Sequence, residues 1–151
     1  MEFTPKDPDY KVKVSDSFKR QQFMTYINAE LVEVLPGYCE IHIPYDANLT
    51  QQHGYFHAGI ISTLADNAAG YASFSLMNKE ASILTVEFKL NIMSPGDGEK
   101  LIGKAKVLKN GRTLTICRAE VYAVKQGFEK LCAAAQSTLI ELKNHSDSNK
   151  E

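Results

Sequence analysis

The residues able to do chemistry crowd into one stretch of this chain, Gln51 to Met77. His53, Gly54, His57 and Gly59 lead into an apolar run, and Asp66 is the only charged side chain between Ala58 and Met77. Imidazole, glycine and the unpaired N–H groups of a helix start are together suited to a negative charge developing on an oxygen. A carboxylate among apolar neighbours is costly unless something pairs with it or uses it, so Asp66 reads as an acid in use rather than a surface charge. His57 has two readings, contact with a substrate or shaping of the loop before the helix, and His53 reads as loop structure. No Ser-His-Asp arrangement, no Cys/His cluster with zinc spacing and no glycine-rich phosphate loop competes.

The element that must position these groups is a helix from Ala58 to Met77. Ile60, Ile61, Leu64, Ala65, Ala68, Ala69, Ala72, Phe74, Leu76 and Met77 fall on nearly every face, which predicts a buried rod. Before it, residues 1–14 read as an irregular lead-in because of Pro5 and Pro8, Ser15 to Ile27 as a short helix, and Ala29–Leu35 and Tyr38–Ile43 as strands joined at Pro36-Gly37. His42 alternates away from Cys39, Ile41 and Ile43 and reads as a surface histidine. After it, Ile83–Met93 has the clearest period of two, placing Val86, Phe88, Leu90 and Ile92 opposite Thr85, Glu87, Lys89 and Asn91. Glu87, Lys89 and Asn91 read as a solvated face or a subunit seam. Leu101–Leu108 and Arg112–Val124 are expected to join at a two-residue turn, Asn110-Gly111. Gln126-Gly127 marks the next turn, into Glu129–Leu142, and residues 143–151 read as a frayed tail. An all-round apolar helix beside one long antiparallel sheet is best buried if the sheet curls around it. One face of the helix would still need cover, which a partner could supply.

The 151 residues suit one domain spanning the chain. With 17 Lys and Arg against 18 Asp and Glu, net charge −1, no global field argues for nucleic acid or an anionic membrane. Cys39, Cys117 and Cys132 lie in apolar runs and read as free buried thiols of a reducing compartment. The N-terminal MEFTPKDPDYKVKV has no apolar core of a signal peptide, and no run reaches the roughly 18 apolar residues of a membrane span. A soluble cytoplasmic protein is expected.

Three segments in this order, HGYFHAGIISTLADNAAGYA, TVEFKLNIMSPGDGEKL and KNGRTLTICRAEV, resemble the hotdog-fold acyl-CoA thioesterases, in particular the group similar to the phenylacetate-pathway (PaaI-like) enzymes. The resemblance covers roughly residues 25–142. It implies an α+β hotdog fold, a long central helix wrapped by a curved antiparallel sheet, assembled as a dimer or a dimer of dimers in which sheets join and two sites form between subunits. It further implies hydrolysis of acyl-CoA to a free acid and coenzyme A, with no metal or organic cofactor. Asp66 falls where the family keeps its nucleophile or general base, and Gly59 where a backbone N–H polarises the thioester carbonyl. His57 matches the histidine of a His-Gly-Gly motif whose middle position is here Ala58, leaving the Gly59 N–H available. Gln51 stands where relatives often carry an Asn that places water or substrate, and Thr85 where some carry a hydroxyl near the acid. Arg112, beside a turn, reads as an ordinary turn charge or as a contact for ligand phosphates.

Two rivals belong to other classes: a non-catalytic acyl-CoA-binding regulatory module, and a hydratase or dehydratase acting on an acyl-thioester. Asp66 argues against the first, and the nine-residue gap from His57 to Asp66 fits the second poorly. Gly59 and Asp66 are seven residues apart, which is about 10.5 Å of helix. Attacking atom and carbonyl donor must both lie within about 3–3.5 Å of one carbonyl group. One chain therefore does not easily supply both, and a two-fold partner with an antiparallel helix is expected to complete each site.

Overall fold

The computed structural model describes residues 3–143, 145 and 147. Two short helices, α1 (Tyr10–Arg20) and α2 (Gln22–Tyr26), precede the hairpin of β1 (Glu30–Leu35) and β2 (Tyr38–Pro44). The long helix α3 (Ala58–Phe74) follows, and then β3 (Ser82–Ile92), β4 (Lys100–Asn110), β5 (Leu114–Lys125) and β6 (Phe128–Leu142). The six strands form one antiparallel sheet in the order β1-β2-β4-β5-β6-β3. α3 packs against every strand, so the sheet curves around it. This is the hotdog arrangement.

The core lies between α3 and the concave face of the sheet. Leu64, Ala65, Ala68, Ala69, Ala72 and Phe74 are fully buried there, against Ile41, Leu101, Ala119, Val121 and Leu139. Small side chains on α3 allow the sheet to come close, and Gly103 on β4 marks one such close approach. A Cβ at Gly103 would stand 2.6 Å from Leu64 Cγ and 3.3 Å from the Leu64 carbonyl oxygen. Gly103→Ala must therefore push α3 away from β4, and it is expected to lower stability by about 1–3 kcal/mol in urea unfolding. A loss below about 0.5 kcal/mol, the level of an ordinary surface change, would show that the helix is not pinned there.

Several boundaries depart from the sequence reading. The lead-in is helical from Tyr10, since Pro8 stands before α1 and restrains only what precedes it, while Asp7 O accepts from Tyr10 N at 3.2 Å. The single expected helix over 15–27 is broken at Gln21, whose backbone is extended (φ −75°, ψ 98°). α3 stops at Phe74 instead of Met77. Lys13 of α1 donates to the Met77 and Asn78 carbonyls at 2.7 and 3.1 Å, holding the chain beyond the last turn. Asn110-Gly111 does not form a two-residue turn. Asn110 stays in β4 paired with Thr115, and Gly111 N donates to Leu114 O at 2.9 Å across a longer loop. The two-residue turn is Gln126-Gly127, where both residues have positive φ (52° and 80°). His42 is half-buried against Glu40, 2.7 Å from its carboxylate, rather than a free surface residue. Of the expected tail, Asp147 is held by Arg20 at 2.7 Å, and the rest beyond Lys143 and His145 lies outside the described residues.

Cys39, Cys117 and Cys132 are free and buried, as their apolar runs indicate. Among the described residues no helix is long and apolar enough to cross a membrane.

Candidate active site

The loop before α3 is held at both edges. His57 N donates to Leu49 O and Phe56 N to Gly96 O, each at 2.9 Å, and Thr50 bridges Phe56. Phe56 is buried between them, packing edge-on against Tyr45 with ring centroids 5.7 Å apart. The anchored loop leaves His57, Ala58 and Gly59 exposed at the start of the helix.

His57 is the N-cap of α3: its backbone is extended (φ −62°, ψ 142°) and its Nδ1 accepts from Gly59 N at 2.9 Å. The Gly59 N–H is thus occupied by the ring, whereas the sequence reading left it available. Among the described residues nothing accepts from the Ala58 N–H. The first turn therefore presents one open donor and one covered by a ring that can rotate away, at the positive end of the helix dipole. Gln51 turns back on its own loop, its side-chain oxygen accepting from His53 N and its carbonyl from Gly54 N.

Two turns along the same helix, Asp66 is half-buried on the face the sheet does not cover. That face continues through Thr63, Asn67 and Gly70, all partly exposed. Thr85 Oγ1 donates to Asp66 Oδ1 at 2.8 Å. Burial raises the Asp66 pKa above the usual carboxylate range, and the Thr85 hydrogen bond opposes that rise in part. No charged partner contributes, so the carboxyl is held by desolvation and one hydroxyl.

Thr85 reaches Asp66 because β3 carries a bulge. Phe88, Leu90 and Ile92 pair with Ser137, Ala135 and Ala133, all buried on the helix side of β6, and Thr85 pairs with the buried Leu139. Directly opposed residues share a face, so Thr85 lies on the same side as Phe88, not opposite it as strict alternation required. The extra residue between Thr85 and Glu87 shifts the phase. The apolar face of β3 is also less covered than its alternation suggested. Val86, Phe88 and Ile92 are 57%, 41% and 46% exposed, and Leu84, on the opposite face ahead of the bulge, is 56% exposed, because β3 is the sheet's outer strand and pairs on one side only.

Arg112 is exposed in the β4–β5 loop, at the far end of β4 from the anchored α3 start. The structure thus groups His57, Ala58 and Gly59, groups Asp66 with Thr85 separately, and sets Arg112 apart from the helix start. Of the aromatic residues near the helix, Phe56, Tyr71 and Phe74 are core, with Tyr71 Oη accepting from Gln21 Nε2 at 2.6 Å. Tyr55 is exposed. Among the described residues no three of His, Cys, Asp and Glu gather as metal ligands.

A family profile described as "Thioesterase superfamily" matches residues 53–129, the segment holding the α3 start, Asp66, Thr85 and strands β4 and β5. The chain belongs to the thioesterase superfamily. A thioesterase family protein from Silicibacter pomeroyi is 50% identical, with 89% of this chain and 98% of that one covered and a TM-score of 0.88. A protein of Saccharolobus solfataricus, whose name makes it a candidate esterase, is 25% identical over 128 residues, 85% of this chain and 83% of its own length. PaaI of Escherichia coli, from the phenylacetic acid degradation operon, is 16% identical and shares the fold, with a TM-score of 0.82 over 93% of this chain and 99% of that one. Membership of the superfamily makes thioester hydrolysis the class of chemistry for this chain, and its hotdog architecture agrees with the family.

Proposed function

We propose that this superfamily member is a cytoplasmic acyl-CoA thioesterase whose sites lie between two copies of the chain. The observation that carries the reading is the pairing of Asp66 with Thr85 on the uncovered face of α3, two turns from an exposed helix start. In the proposed reaction the helix start of one subunit holds the thioester carbonyl, and Asp66 of the other acts on its carbon. Asp66 either attacks directly, forming a mixed anhydride that water then opens, or takes a proton from the attacking water. Negative charge collects on the carbonyl oxygen, is met by the Gly59 N–H once the His57 ring yields it and by the Ala58 N–H beside it, and returns as the C–S bond breaks. The thiol leaves with a proton and the acyl group leaves as the acid, so neither a metal nor an organic cofactor enters the balance.

Shared sites are supported by β3, an outer strand of 11 residues with an unpaired edge and exposed apolar side chains. Such an edge invites pairing with a second copy, which would also bring a second α3 against the open face. Gln51 and Arg112 remain proposed substrate contacts, Gln51 through its amide and Arg112 through phosphates at a neighbouring subunit's site.

Thiol release from a panel of acyl-CoAs tests the activity. Release supports it. Tight binding without release would instead mark a binding module, and double-bond hydration without release a hydratase.

The acid limb of the pH–rate profile provides a second test. Asp66 must be ionised to act, so activity falls as pH drops through its raised pKa. Thr85→Val removes the hydrogen bond that holds this pKa down, so the limb is expected to move to higher pH while the rate at alkaline pH changes little. An unmoved limb would show that another group titrates there.

A further inference from the structure

The turn that leads from α3 into β3, residues 75–81, is held from outside by two lysines and two carboxylates. Lys13 reaches from the first turn of α1 and donates to the Met77 and Asn78 carbonyls, with its Nζ 3.6 Å from Asp7 Oδ2 and 4.6 Å from the centre of the Phe74 ring. Its side chain is only 11% exposed, and that of Asp7 3%. Burial lowers the Lys13 pKa, and Asp7 is the first of the charges that oppose it. Glu141, buried on β6, accepts from Asn78 Nδ2 at 3.2 Å and from Lys6 Nζ at 3.0 Å, and its backbone pairs with Ile83 at the start of β3. Lys6, Asp7, Lys13 and Glu141 all lie outside the segment that the family profile covers.

A buried ammonium is a costly way to join two elements. An apolar side chain of similar length would fill the space without the desolvation, so what the charge adds is direction: its N–H groups fix two carbonyls, beside a carboxylate that holds the charge in place. What they fix is the approach to β3. Thr85 stands seven residues beyond Asn78 (85 − 78), and β3 is paired with β6 alone, so no further strand of the subunit limits its distance from α3. The Thr85–Asp66 bond spans that gap at 2.8 Å. A hydrogen bond is lost by about 3.6 Å, so a displacement of about 0.8 Å is enough to break it.

We propose that Lys13 is a positioning residue for Asp66: by clamping the turn before β3, it keeps Thr85 on the carboxylate. It acts through the strand and not on the reacting groups. The proposal rests on the reading of Asp66 as the acid of the reaction and extends that site to α1.

The test follows the acid limb of the pH–rate profile in Lys13→Met, in Thr85→Val and in the variant carrying both, with the Asp66 carboxyl titrated in each by carbon-13 NMR. In Lys13→Met the carboxyl is expected to titrate at higher pH, and turnover on the acid limb to fall about threefold while the alkaline rate is unchanged. Adding Lys13→Met to Thr85→Val is expected to move nothing further, because the bond it protects is already gone. Lys13→Met leaves Asp7 a buried carboxylate without its cation, so folding is checked by thermal midpoint; Asp7→Asn combined with Lys13→Met removes the same donors without stranding that charge. An unmoved Asp66 titration in every folded Lys13 variant, an equal loss of rate at every pH, or the same added effect with and without Thr85 would overturn the positioning role. Unfolding of both Lys13 variants would overturn it too, by making Lys13 structural. The acid reading fails separately: if Thr85→Val and Lys13→Met both shift the carboxyl titration but not the pH–rate profile, the clamp stands and Asp66 is not the acid of the reaction.

Discussion

Asp66→Asn is expected to lower thioester turnover by about 10²- to 10⁴-fold while the protein stays folded. The amide has nearly the shape of the carboxylate and can still accept from the Thr85 hydroxyl, but it can neither attack a carbonyl nor take a proton from water. Folding should survive because no ion pair is broken: burial and Thr85 are the causes of the Asp66 pKa shift, and no cation contributes. An ionised carboxylate penalised by burial is also not a net stabiliser, so its removal leaves no orphaned partner charge. Turnover and thermal midpoint are to be measured together. Near-wild-type turnover from a verified D66N protein would remove Asp66 from the mechanism, and collapse of the midpoint would make its role structural.

Mixing two inactive proteins, D66A and G59P, is expected to restore activity. Gly59 is the second residue of α3, in the first turn, where proline deletes an N–H that has no intrahelical acceptor and so leaves the helix whole. What G59P loses is the donor for the carbonyl, along with the bond to His57. If each site takes its helix start from one subunit and its acid from the other, a heterodimer holds one site with both groups intact and one with neither. Verified heterodimers should then turn over at about half the rate of the unmodified dimer, as an isologous interface requires. Heterodimers without recovered activity would sink the shared site, and activity in either parent alone would remove that residue from the reaction. The glycine itself also matters, since a Cβ at Gly59 would come within 3.0 Å of His57 Nδ1. Gly59→Ala therefore crowds the capping ring and is not the silent control that its retained N–H suggests.

The helix and its wrapping sheet are legible in the sequence because burial is written there directly. A run with apolar residues on every face and small ones between them leaves few alternatives to a rod enclosed by strands. Asp66 stands out by the same logic, as the one charge in that run. Thr85 is different: its hydroxyl is visible, but its side of the strand depends on a bulge at Val86. Period-two counting cannot see an inserted residue whose neighbours keep alternating in polarity. His57 is legible as a residue before a helix, whereas its hold on the Gly59 N–H is a matter of side-chain rotamer, which composition does not encode. Asn110-Gly111 misleads because a favoured dipeptide was weighed without its surroundings, where Thr115 Oγ1 donates to Asn110 Oδ1 at 3.1 Å and keeps Asn110 in the ladder.

If the outer strand β3 pairs with a second copy as proposed, it ties the protein's behaviour to its own abundance. In the two-fold pairing proposed above, the contacts that would cover Leu84, Val86, Phe88 and Ile92 are second order in chain concentration, while every contact inside the wrapped core is first order. The folded population and the active population then follow different laws of mass action. Dilution would empty the sites long before it loosened α3 from the sheet, leaving intact but catalytically silent chains. Thioesters would be spared until enough copies had accumulated to meet.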